Sequence, residues 1–63
     1  MEIIVLEKDS KKAFNLLQNN EEIDCDNYAW VTEYKLKIPD TEDHKDTWND
    51  IMILFESENI GIL

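Results

Sequence analysis

Apolar positions along the chain change their spacing from segment to segment, and each spacing predicts an element. Ile3-Ile4-Val5-Leu6 is short, continuous and mostly β-branched, so Glu2–Glu7 reads as a strand covered on both faces. Asp9 or Ser10 then offers an N-cap. Over Lys11–Asn19, Ala13, Phe14, Leu16 and Leu17 share one side of a helical repeat, which predicts an amphipathic helix docked on the first strand. Gln18-Asn19-Asn20 closes it, because asparagine tolerates the left-handed conformation that ends many helices. From Tyr28 to Ile38 the spacing becomes two. Tyr28, Trp30, Thr32, Tyr34, Leu36 and Ile38 fall on one side, and Ala29, Val31, Glu33, Lys35 and Lys37 on the other. That pattern predicts one long strand with a core face and a wet face, ended by Pro39.

The last third supports two readings. As a helix capped by Asp40 or Thr41, it would align Trp48, Ile51, Met52 and Phe55 on one face and Asp43, Asp46 and Asp50 on the other. Ile53 would then lie near the acidic face without an evident reason. As a strand, Asp50–Glu56 would pair back against Tyr28–Ile38 and bury both its faces, with Asp40–Thr47 as a loop or helical turn. Length and the acidic lead-in favour the helix, the β-branched and aromatic content favours the strand, and the strand is the reading adopted. Glu58–Leu63 contains the single glycine, Gly61, and is expected to be a short strand, a packed tail or a self-association patch. The elements together predict an α+β fold: one small acidic domain, 1–63, of strand and helix followed by two or three mostly antiparallel strands.

Charge then narrows the function. Fifteen acids stand against six lysines and no arginine, a net charge of −9 at pH 7. The imbalance lies in residues 19–63, because residues 1–18 carry three acids and three lysines. Direct binding to nucleic acid or to an anionic membrane needs basic groups, so a basic, Lys/Arg-rich protein is the expected partner. The plain alternative is that the carboxylates merely confer solubility. A chain of 63 residues sits near the lower limit for an independent core, so efficient packing or a homodimer is expected. The lone Cys25 cannot form an intramolecular disulfide. The N-terminus has an acid where a signal peptide needs basic residues, and the expected compartment is the cytoplasm.

Candidate chemistry is sparse. His44 is the only histidine, a lone candidate for a pH-responsive group and otherwise an exposed loop residue. One histidine and one glycine assemble neither a nucleophilic triad nor a phosphate loop. Asp24-Cys25-Asp26-Asn27 lacks the glycine and the distal glutamate of a calcium loop and reads as a solvated connection. No catalysis, metal or cofactor is expected. What remains is recognition by carboxylates, which can fill a basic groove by charge-assisted pairing with Lys and Arg. The candidates are Glu21, Glu22, Asp24, Asp26, Glu33, Asp40, Glu42, Asp43, Asp46 and Asp50, with Tyr28 or Trp48 as aromatic contacts unless both belong to the core.

In size, charge and residue usage the chain resembles phage-encoded DNA mimics, including anti-CRISPR and anti-restriction proteins, although it shares no motif with any of them. The resemblance implies an inhibitor of a basic nucleic-acid-binding protein, with a CRISPR effector the preferred target because its guide and target channels are long and basic. An immunity protein neutralising a basic nuclease, or a non-catalytic adaptor assembling through Ile51–Phe55 and Ile60–Leu63, are the alternatives. Geometry is the open question. A straight Tyr28–Ile38 would hold the clusters Glu21–Asp26 and Asp40–Asp50 about 30 Å apart, joined into one face only if an acid such as Glu33 bridged them.

Overall fold

The computed structural model describes all residues, 1–63. In chain order, the elements are strand β1 (Glu2–Ile4), helix α1 (Ser10–Gln18), strands β2 (Ala29–Trp30) and β3 (Lys35–Lys37), and helix α2 (Lys45–Ser57). Short 3-10 turns precede α1, β2 and α2. The strands form one antiparallel sheet in the order β1-β3-β2. The α+β expectation holds, with two strands after the first helix and a second helix in place of a further strand.

The sheet is buried on one face. Ile3 and Val5 from β1 and its extension, and Leu36 and Ile38 from β3 and its extension, meet Ala13 and Leu17 of α1 and Ile51 and Phe55 of α2 in a single ten-residue core completed by Ile23 and Ile60. The opposite face carries Glu2 and Lys35, joined at 3.4 Å, and the exposed Lys37 and Ala29. The expectation that Glu2–Glu7 is covered on both faces is therefore corrected. Only Ile3 and Val5 are buried, Ile4 and Leu6 are half-buried, and the chain turns into a 3-10 turn at Glu7.

Tyr28–Ile38 is a hairpin and not one strand. Ala29 pairs with Lys37 and Trp30 with Leu36, while the N–H groups of Val31 and Thr32 donate to the Lys35 carbonyl at 2.9 and 3.4 Å. Every pair joins residues of the same parity, so the reversal leaves Trp30 and Leu36 on the core side and Ala29 and Lys37 outside, while Thr32 and Tyr34, expected on the core face, lie in the turn and are exposed. A period of two cannot register such a turn. Nor does the turn advertise itself. It contains no glycine, proline or asparagine, and Asn59 is the only residue of the chain with positive φ, so the reversal needs none of the residues that normally mark one.

Asp50–Glu56, expected as a strand, belongs to α2. A strand there would have apolar side chains on both faces, and a sheet with helices on one side only has no second core to receive them. Wound as a helix, the segment sends Ile51 and Phe55 into the core with Trp48 and Met52 half-buried beside them. The helix closes through Asn59 at φ 59°. The Asn59 N–H donates to the Glu56 carbonyl at 3.2 Å and the Ile60 N–H to the Phe55 carbonyl at 2.9 Å, the paired bonds of a Schellman ending. Its accompanying apolar contact is supplied by buried Ile60 and Phe55. By contrast α1 ends at Asn19 in a right-handed conformation, so the left-handed closure expected there is not used.

Two long-range bonds tie the helices together. Asp9 precedes α1 but does not cap it; its Oδ2 accepts the Gly61 N–H at 2.8 Å. Lys12 Nζ donates to the Glu58 carbonyl at 2.6 Å, covering the C-terminus of α2. Beyond Gly61 the tail lies along the outer edge of β1. Val5 bridges Ile62, and Leu63 N–H donates to the Ile4 carbonyl at 2.8 Å. A Cβ at Gly61 would run into the Leu6 side chain, which would have to move aside to admit it.

Candidate functional site

The hairpin answers the geometric question left by the sequence. Because Ala29 faces Lys37, the two ends of the segment lie about 5.5 Å apart, not at opposite poles. The Glu21–Asp26 connection enters at that end and Asp40–Asp50 leaves from it. Glu33 goes the other way. It sits in the hairpin turn and, with Lys11 of α1, lines a groove on the far side. The two acidic segments therefore join the hairpin at the same end, without the bridge that a straight strand would have needed.

Each segment is shaped locally. After α1, Asn20 Oδ1 accepts the Glu22 N–H at 2.9 Å, a side-chain turn of the kind asparagine favours. Asp24 Oδ1 accepts the Asp26 N–H at 3.1 Å, starting the 3-10 turn Cys25–Asn27. Ligand atoms of Asp24, Cys25 and Asp26 lie within 4.8 Å of one another, all exposed. Past Pro39, the Thr41 hydroxyl lies 2.6 Å from His44 Nδ1, holding the turn Glu42–His44 that leads into α2. Along α2, Asp46 and Asp50 stand one turn apart on the outer face. The connection and the helix then meet: Glu22 and Asp50 line one groove together.

All ten candidate acids are exposed. The chain's one ion pair joins Lys35 to Glu2, so none of the ten is neutralised by a lysine. Such carboxylates can bind cationic side chains by charge-assisted hydrogen bonds, and binding of this kind weakens with ionic strength. The candidate aromatics are not free. Tyr28 and Trp48 are half-buried against the core, and the Tyr28 hydroxyl donates to the Leu17 carbonyl at 3.4 Å. Burial pushes the Tyr28 phenol above its ordinary value, helped by the negative neighbours Cys25 and Asp24.

One surface residue was visible in the sequence only as a misfit. Ile53, the side chain that did not suit a helix, is 64% exposed. It projects from the outer face of α2 among Asp46, Asn49, Asp50, Glu56 and Ser57, all of them exposed. No helix of the chain is long and apolar enough to cross a membrane. Comparison with protein-family models, with curated proteins and with solved structures gives no match.

Proposed function

We propose that this protein is a small acidic inhibitor that binds and blocks a basic nucleic-acid-binding protein in the host cytoplasm, in the manner of a phage-encoded anti-CRISPR or anti-restriction DNA mimic. The observation that carries the reading is a surface of exposed acids that no lysine of the chain pairs. The segments that carry nine of the ten join the hairpin at its open end, and Glu22 and Asp50 line one groove. In a protein whose carboxylates served solubility alone, spreading them would serve equally well and would avoid the mutual repulsion. Concentrated on a rigid scaffold, they offer a Lys/Arg-lined channel the potential it ordinarily receives from phosphates. An immunity protein acting on a basic nuclease would use the same surface, and the identity of the captured target separates the two.

Affinity capture from host lysate at low and high salt, with mass spectrometry, provides the test. A Lys/Arg-rich protein retained at low salt and released at high salt is the expected outcome. Adding the acidic protein to that purified target should displace its nucleic acid in a mobility-shift assay. Charge reversal at Asp40, Glu42, Asp43 and Asp46 should abolish both effects. Capture that is indifferent to salt and to the reversal would point to an adaptor assembling through apolar contacts.

A further inference from the structure

We infer that the groove between the Asn20–Ile23 connection and the outer face of α2 is a socket for one lysine or arginine side chain of the basic partner, with Ile53 as its apolar wall. The inference rests on the function proposed above and gives that surface a centre. The groove encloses about 300 Å³ and is lined by Ile23, Ile53 and Leu54 together with Glu22 and Asp50. Ile23 is buried and Leu54 half-buried, so the apolar lining is anchored in the fold and only Ile53 stands out into solvent. Ser57 Oγ donates to the Leu54 carbonyl at 2.7 Å and is already engaged.

The chemistry of the lining selects the occupant. Lysine and arginine are amphipathic: a methylene stem ends in a charged head. Here an aliphatic wall shares one groove with two carboxylates that no cation of the chain neutralises. The stem would cover Ile53 and Leu54 while the head reached Glu22 and Asp50. A purely apolar side chain would leave those carboxylates unmatched, and an acidic one would be repelled. Desolvation of Ile53 also accounts for its place on the outer face, where a polar residue would serve an isolated helix better. A small apolar contact ringed by polar groups is the common form of an energetic centre in protein interfaces.

Methyl NMR of the whole chain supplies the test, with an oligoarginine peptide as probe and the uncharged isostere oligocitrulline as its control. At low salt, oligoarginine should shift the Ile53 and Leu54 methyls saturably, and oligocitrulline should not. The pair Glu22→Gln with Asp50→Asn should weaken oligoarginine binding roughly tenfold, the loss expected for about one charge-assisted hydrogen bond. Ile53→Ser should weaken it several-fold with an unchanged far-UV circular dichroism spectrum. The control pair Glu7→Gln with Glu33→Gln, equal in charge and away from the acidic surface, should change it far less. If the control pair weakens binding as much as the groove pair, or the Ile53 methyl does not move, the socket is refuted and a diffuse acidic surface for basic proteins remains. If oligoarginine fails to bind at low salt, the socket and the proposed function fall together. Self-association that Ile53→Ser abolishes would show the occupant to be a second copy and would overturn the inference.

Discussion

Helices α1 and α2 each leave one large apolar side chain outside the core, and the two differ in what lies beside them. In α1 it is Phe14, 45% exposed, whose ring centroid stands 6.0 Å from that of Trp30 in a tilted arrangement. The exposed aromatic has a partner within the chain and secures α1 to the hairpin. In α2 it is Ile53, more exposed than Phe14 and bordered by acids. The polar neighbours differ as well. Lys11 and Lys12 belong to α1, and Lys12 is spent on the end of α2; the outer face of α2 is acidic and unpaired. Exposure alone therefore does not identify a binding residue. Exposure that no contact of the fold accounts for is the informative kind, and it occurs on the acidic helix.

The two faces of α2 give the largest contrast. Phe55→Ala empties a site in the middle of the core and should cost about 3–5 kcal/mol. A domain of this size has roughly 3–9 kcal/mol to lose, so urea denaturation should find the variant largely unfolded. Ile53→Ser, two positions earlier, should stay within about 0.5 kcal/mol of the parent in the same measurement. A loss comparable to that of Phe55→Ala would mean that the fold itself covers Ile53, and the contrast would collapse.

The link between the helices comes next. Asp9→Ala leaves the Gly61 N–H without its acceptor, a cost of about 1–3 kcal/mol. Hydrogen exchange should show the Gly61 amide losing protection ahead of the hairpin amides. Phe14→Ala should cost about 1 kcal/mol, the scale of an aromatic pair on a partly exposed surface, and should alter Trp30 fluorescence. No fluorescence change would deny Phe14 the partner that sets it apart from Ile53.

The smallest effect is the alkaline one. The Tyr28 phenol ionises higher in the folded protein than in the unfolded chain, chiefly through burial. The folded state therefore holds its proton more tightly. The resulting stability is fully present below the ordinary tyrosine range near pH 10 and is lost as pH rises through the folded value. Tyr28→Phe should flatten that alkaline decline, which thermal melts across the range would record. An unaltered decline would assign the effect to other groups.

Much of this molecule was legible residue by residue. The α+β class, the helix near Lys11–Asn19 and the core positions Ala13, Leu17, Leu36 and Ile38 all follow from spacing, because helical and pleated backbones assign faces locally. The exposure of the ten acids follows from the cost of burying a charge. The segment after Pro39 was ambiguous for an equally physical reason. Its short apolar run fits a doubly covered strand or a helix with one stray isoleucine, and only the architecture removes the first option, by offering one core where the strand needed two.

The sequence alone thus determined the sides of the first helix and of the paired hairpin residues, and how much charge the surface carries. Tertiary structure decided where the chain reverses and therefore which acids meet. A same-parity turn without glycine, proline or positive φ leaves no trace in the alternation from Tyr28 to Ile38, yet it sends Glu33 to the far end, while the packing of α2 on the Asn20–Ile23 connection puts Glu22 and Asp50 in one groove. Local spacing records the geometry of single residues, whereas the meeting of two acidic segments depends on how distant parts of the chain pack.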